Sequence, residues 1–287
     1  MNDPATLARC IAVTNARHGT IMHLSNDAYI GRSLEAYGEF SEAEIDLWAQ
    51  YVKPGHLVFD IGANIGAHTV ALANLVGPRG VVLAFEPVRF LYHMLCGNLA
   101  LNGLTNVRAY QCGVGANSRE MNVPAIDFTQ PDTYGGVALS NKAAGEPVSI
   151  ISIDESVRVP ACHFMKIDVE GMELDVLRGA HRLITRMKPV LYVEHNDTQT
   201  GRWVLEFIAA HGYRAYLHEP PLFNPENYFR KQEDVFAGQF EGQIHNLLCL
   251  PADYPAPLGL ARMGPPERVA DAGAAGCDDS SAPGISR

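Results

Sequence analysis

Leu57-Val58-Phe59-Asp60-Ile61-Gly62-Ala63-Asn64-Ile65-Gly66 is the stretch on which the reading of the chain turns. Val58 and Phe59 lie in a continuous apolar run that suits a parallel strand covered on both faces. Gly62 and Gly66 let the backbone turn and approach a ligand closely, and Ala67-His68-Thr69-Val70-Ala71-Leu72-Ala73 resumes as a crossover helix. Strand, glycine turn and helix make half of a nucleotide-binding unit. The other half lies twenty-six residues beyond Asp60, where Val81-Val82-Leu83-Ala84-Phe85 is a second buried-strand run ending in Glu86-Pro87. An acid at that tip is placed to accept hydrogen bonds from both hydroxyls of a ribose.

The turn narrows the ligand. A dinucleotide-binding turn uses three glycines so that the helix N-terminus can hold a pyrophosphate, but counted from Gly62 the second position is Asn64 and the third Ala67. A nucleoside without phosphates fits better. Asp60 adds a carboxylate suited to an ammonium group or to fixing the loop, and S-adenosylmethionine carries an ammonium and no phosphate.

Three ordered blocks carry a resemblance: Asp60-x-Gly62-x-Asn64-x-Gly66-x-His68-Thr69, Ala84-Phe85-Glu86-Pro87, and Lys166-Ile167-Asp168-Val169-Glu170-Gly171-Met172-Glu173. Together they resemble the signature blocks of the FkbM family of S-adenosylmethionine-dependent methyltransferases, from about Gly31 to about Pro251. The resemblance implies S-adenosylmethionine as cofactor, held by Asp60, Gly62, Asn64, Gly66, His68, Thr69 and Glu86. It also implies that Tyr37, Gly38 and Glu39 help to cover it. Val114, in the Gly113-Val114-Gly115 loop, follows the third strand, so the loop either borders the crevice near the adenine or is a plain turn. Gly135-Gly136 resembles a further glycine element of the family, but Tyr134 stands where an asparagine would precede it.

The chain has 287 residues, 47% of them apolar, enough for one large α/β domain. Residues 1–55 read as an N-terminal cover, 56–251 as the methyltransferase domain and 252–287, rich in Pro, Gly, Ala, Ser and Asp, as a disordered tail. A formal charge of −10 argues against nucleic acid and anionic membranes as partners. Six scattered cysteines form no Cys-x-x-Cys pair, and no apolar run is long enough to span a membrane, so the expectation is a cytoplasmic protein with reduced thiols.

Along the chain, residues 1 to about 30 give no assignable pattern. Ser41 and Glu44 have capping-box spacing for a helix presenting Ile45, Trp48 and Val52 on one face. Apolar runs predict seven strands, starting near residues 57, 81, 107, 163, 190, 213 and 246, with helices between them. That is a Rossmann-like, mostly parallel methyltransferase sheet whose last strand is antiparallel. Residues 116–160 interrupt the alternation with three short strands, near 121–123, 136–140 and 148–153.

Methyl transfer to oxygen is an in-line displacement that needs positioning, desolvation and, where the hydroxyl must lose its proton, a base. Asp168, Glu170, Glu194, His195 and His218 lie at strand ends ringing the crevice. Asp168 is the first choice for positioning, and His195, whose ordinary pKa lies nearest neutrality, the first choice for proton acceptor. Asp168, Glu194 and Asn196 raise a secondary possibility of magnesium. The expected activity is methylation of a hydroxyl on a small molecule or glycan. The alternatives are a nicotinamide-dependent oxidoreductase and a noncatalytic module retaining the fold. The sequence names neither the acceptor nor the oligomeric state.

Overall fold

A computed structural model describes residues 4–140, 144–238 and 245–263. Helix α1 (Pro4–Cys10) leads into an antiparallel hairpin of β1 (Ile11–Ala16) and β2 (Gly19–Leu24), filling the region that the sequence pattern leaves unassigned. Two short helices follow, α2 (Ile30–Tyr37) and α3 (Glu42–Trp48). Helix α2 closes on Gly38, whose φ of 67° is the left-handed conformation that glycine adopts without strain. Helix α3 starts where expected, but Ser41 makes no side-chain capping bond, so the capping box does not form. Glu44 is turned inward instead, where Tyr192 and Asn246 bond its carboxylate.

The alternating core then runs β3 (Leu57–Ile61), α4 (Ala67–Val76), β4 (Val81–Phe85), α5 (Arg89–Leu101) and β5 (Val107–Tyr110). An insertion of β6 (Gly113–Val114), β7 (Arg119–Pro124) and β8 (Gly145–Ile151) forms its own three-stranded sheet in the order β6-β8-β7. Residues 136–140, expected as a strand, make only an isolated bridge between Asn122 and Ser140, and Gly135 and Gly136 enter a cavity wall. Next come α6 (Ile153–Ser156), β9 (Phe164–Ile167), α7 (Glu173–Gly179), α8 (His181–Met187), β10 (Val190–Glu194), α9 (Gln199–Ala210), β11 (Tyr213–His218), β12 (Asn246–Pro251) and β13 (Ala261–Met263).

The main sheet runs β13-β11-β12-β10-β9-β3-β4-β5. Strands β10, β9, β3, β4 and β5 pair in parallel, and β12 is antiparallel to both of its neighbours. The seven expected strands are there, with the antiparallel one where the pattern puts it. The count is corrected to eight: β13 pairs antiparallel with β11, so ordered structure continues beyond residue 251. Strand β13 is short and solvent-facing, leaving no apolar run to read. Residues 264–287, the rest of the expected disordered tail, lie outside the described residues.

Both faces of the sheet are covered. Phe59, Ile61, Met165, Ile167, Leu191 and Val193 pack beneath α7 and α9, while Val58, Val82, Phe164, Val190 and Leu248 pack with Trp48 and Leu72. Two-sided burial explains the apolar runs of β3, β9 and β10, interrupted near their carboxyl ends by Asp60, Lys166 and Glu194. The chain leaves β3 for β4 on one side and returns through β9 on the other, so a crevice opens above the carboxyl end of β3. No described helix is long and apolar enough to cross a membrane, and the five described cysteines are free.

Candidate active site

A cavity of about 340 Å³ occupies this crevice, and its two ends differ in chemistry. The first is built on backbone. Gly62 N–H and Ala63 N–H both donate to Phe85 O at 3.0 Å, locking the turn to the tip of β4. A Cβ on Gly62 would lie 1.7 Å from Asp168 O, so only glycine fits there. Glu86 is buried, accepting from Asn64 N–H through Oε2 and from Val88 N–H through Oε1, each at 2.8 Å. Burial pushes its carboxyl up to about 7 against the pull of those two amides. Phe85, Cys112, Val114, Leu91 and Leu139 complete an apolar slot beside it.

The second end is acidic. Lys166 on β9 is buried with Nζ 3.1 Å from Gly62 O, 3.1 Å from Asp168 Oδ2 and 3.5 Å from Asp60 Oδ1. Burial would strip its charge, but Asp168 and Asp60 outweigh that and hold the ammonium above its ordinary range. Glu170 follows β9 at φ 53°, a left-handed conformation that is strained for a residue with a Cβ and aims the side chain into the cavity wall. Asp168, Glu170 and Glu194 each offer a carboxylate oxygen, all within 4.8 Å of one another. Burial, then Asp168, raises Glu170 to about 7, and burial with Asp168 and Glu170 raises Glu194 well above the carboxylate range. Like charges this close cannot all ionise without a counter-charge, so this end is fitted to a cation or to shared protons. These three carboxylates are also the described group whose spacing could hold a metal ion. Asn196 does not line the cavity.

Glu44 also lines this end, fully buried and raised to about 7 by burial. His68 Nε2 approaches Glu44 Oε2 at 3.3 Å, but burial and Lys166 hold the imidazole neutral, so the contact is not an ion pair.

Of the residues singled out in the sequence, Gly62, Asn64, His68, Glu86, Val114, Asp168, Glu170 and Glu194 line the cavity. Gly135 and Gly136 line it too, despite Tyr134 at the position where an asparagine was expected. Asp60, Thr69 and Gly66 lie behind the wall: Thr69 Oγ1 donates to Asp60 Oδ2 at 2.6 Å, tying β3 to α4, and Gly66 sits against Leu95. Those contacts, with Lys166 Nζ 3.5 Å away, tie Asp60 to the loop and to β9. His195 is also outside, because it follows Glu194 on an extended chain and points the opposite way, packing on Gly201 of α9 while its N–H donates to His245 O. His218 is outside as well, bonded to the Tyr192 hydroxyl.

Tyr37 and Glu39 do not reach the cavity. Glu39 accepts from Arg17 Nε at 2.7 Å, Asn224 Nδ2 at 2.8 Å and Tyr228 N–H at 2.8 Å, and the Tyr37 hydroxyl accepts from Val235 N–H at 2.7 Å. They anchor the segment 219–238, which delivers Leu222 to the wall. Glu44, Tyr29, Phe40, Leu222 and Asn246 are wall residues that sequence reasoning missed, and no local pattern marks any of them.

A parallel sheet whose strand order reverses between β3 and β9, an antiparallel β12 and a glycine-turn cavity at the reversal define a methyltransferase of the Rossmann-like α/β class. A sequence model of the methyltransferase FkbM domain matches residues 60–215, and the chain belongs to that family. It is 24% identical over 196 residues to methyltransferase 1 of Beauveria bassiana (strain ARSEF 2860), across 59% of this chain and 76% of the relative. It is 26% identical over 204 residues to the 31-O-demethyl-FK506 methyltransferase FkbM of Streptomyces tacrolimicus, across 60% of this chain and 78% of that one. The crystal structure of methyltransferase FkbM from Methylobacillus flagellatus KT aligns with a TM-score of 0.46 at 19% identity, over 85% of this chain and 57% of that chain.

Proposed function

We propose that the chain methylates a hydroxyl group of a small molecule or glycan with S-adenosylmethionine as donor. The observation that carries this reading is the pairing, in one cavity, of a buried Glu86 at the tip of β4 with a carboxylate cluster at the far end. When bound, the cofactor supplies a methyl carbon on a positively charged sulfonium. Glu86 accepts the ribose hydroxyls, the slot of Phe85, Val114 and Leu139 takes the base, and the acidic end compensates the cofactor's positive charge. Asp168, fixed by Lys166, and Glu170 orient the acceptor hydroxyl in line with the methyl carbon. His195 has no part in the reaction. The relative from Streptomyces tacrolimicus, whose name denotes an O-linked methyl group, supports an oxygen acceptor.

Residues 56–251 act as the catalytic domain and the segment before them as its cover, and the net charge of −10 argues against nucleic acid as acceptor. The test is incubation with labelled S-adenosylmethionine and a panel of sugars, glycolipids and macrolide-like hydroxyl compounds. Label on oxygen in at least one product is expected. Label only on nitrogen or carbon would overturn the acceptor class, and a thermal shift with NAD but none with S-adenosylmethionine would overturn the cofactor.

A further inference from the structure

Resting on that reading, we propose that Glu44 takes the proton of the acceptor hydroxyl and that Tyr192 and His218 conduct it out of the cavity. Glu44 comes from α3, outside the region matched by the family, and lines the acidic end with 6% exposure. Its Oε1 is 3.0 Å from the Tyr192 hydroxyl and 2.8 Å from Asn246 Nδ2. The same Tyr192 hydroxyl is 2.7 Å from His218 Nδ1. Tyr192 is buried on β10, whereas His218 ends β11 and is partly exposed. An unbroken hydrogen-bonded path therefore runs from the cavity wall to a group in reach of water. Asn246, the other partner of Glu44, carries an amide and cannot relay a proton.

The neighbouring acids are worse placed for this task. Asp168 is held by Lys166, and Glu194 sits among like charges that keep it protonated. Around Glu44 stand Tyr192, Asn246, the neutral His68 and, further off, Lys166 and Asp168. Burial raises its carboxyl to about 7 against the pull of Lys166 and the Tyr192 hydroxyl, which suits it both to accept and to release a proton near neutrality. His218 faces Tyr192 and pairs across the strands with Asn246, with the Glu219–His245 contact just beyond. Burial lowers its pKa, which favours release.

The step balances without further reactants. As the acceptor oxygen bonds the methyl carbon, the carbon–sulfur pair stays on sulfur and the hydroxyl proton passes to Glu44. Glu44 then donates to the Tyr192 oxygen while Tyr192 turns its own proton onto His218 Nδ1. His218 releases a proton from Nε2 to water, and proton exchange with water then moves its remaining proton from Nδ1 to Nε2, restoring the carboxylate, the phenol and the starting imidazole tautomer.

The experiment measures turnover of the full chain in dilute buffer at saturating donor, with and without added imidazole. Glu44→Gln should lose about 10²- to 10⁴-fold in turnover, the range for removing a proton acceptor. His218→Asn, which keeps a polar partner for Tyr192, should lose roughly 10-fold and recover with imidazole, at unchanged melting temperature and donor affinity. Wild-type turnover in His218→Asn, or a loss that imidazole does not restore, would overturn the route. A readout free of any acceptor is the infrared absorption of the protonated Glu44 carboxyl, identified by its absence in Glu44→Gln. Its titration should lie near neutrality and move in Tyr192→Phe; an unmoved titration sinks the proposal. A wild-type chain that methylates no hydroxyl would refute the functional reading, and the infrared titration would still decide the route.

Discussion

The two ends of the cavity are assembled in opposite ways. At the Glu86 end, the contacts of the carboxylate are local: Asn64 and Val88 flank it in one strand-turn-helix-strand stretch, and their backbone amides meet it. At the acidic end, Glu44, Lys166, Glu194 and Asn246 arrive from α3, β9, β10 and β12 and meet side chain to side chain. The first end is a property of a motif, and the second is a property of the topology. Lys166 joins them, since its ammonium bonds Gly62 O in the turn and Asp168 at the acidic end.

Breaking that joint should have the largest effect. Lys166→Met leaves Asp60 buried without its counter-charge, and removing one partner of a buried pair costs about 3 to 5 kcal/mol. Urea unfolding should show the loss, and an unchanged midpoint would mean that the two ends are independent. Next in size is Glu86→Ala, which removes hydrogen bonds to a charged group worth about 1.5 to 3 kcal/mol, a weakening of donor affinity by roughly 10- to 150-fold. Calorimetry on the folded variant checks it.

A pH scan probes both ends together. Glu86 and Glu44 titrate at about 7 in the folded chain against an ordinary 4.5, so the native state holds more protons between those values. The stability linked to these groups is complete below about 4.5 and lost as pH rises through about 7. Scanning calorimetry of the ligand-free chain should therefore show a melting temperature falling from mildly acidic to mildly alkaline buffer. The fall should be shallower in Glu44→Gln and Glu86→Gln, because the buried histidines, whose lowered pKa values act in the opposite sense, are common to all three chains; an unchanged slope in both variants would show that neither carboxyl is raised.

Glu170→Gly separates strain from function. Glycine takes the left-handed conformation without the penalty of about 1 to 2 kcal/mol borne by other residues, so stability should rise by about 1 kcal/mol after glycine's own entropy is counted, while turnover falls. A loss of both would mean that the carboxylate is structural. The smallest effect belongs to His195→Ala: turnover should stay at the wild-type level, since the ring lies outside the cavity wall, and a large loss would return it to the site.

The same contrast explains what could be read in advance. Apart from Asp60, Lys166 and Glu194 near their carboxyl ends, strands β3, β4, β9 and β10 are apolar on both faces, and the Glu86 end follows from spacing within one unit. The β1–β2 hairpin escaped because Ile11 and Val13 face solvent while Ala12, Thr14 and Ala16 turn inward, which inverts the usual signal. Ser41 and Glu44 have the spacing of a helix cap, but Glu44 is recruited by partners 148 and 202 residues away, which no local pattern encodes. His195 differs from its expected position by one residue of strand alternation, which puts Glu194 and not His195 on the cavity wall. Tyr37 and Glu39 were placed on the cofactor when their partners are Arg17 and the segment 219–238.

The long reach of the contacts at Glu44 has a bearing on synthesis. As the chain leaves the ribosome, the turn and Glu86 can close as soon as β3 to β5 have emerged, whereas Glu44 waits for Tyr192 and then Asn246. A nascent chain halted before residue 246 therefore carries the local half of the cavity and an uncompensated carboxylate in the other, so completion of the acidic end reports that translation has reached β12.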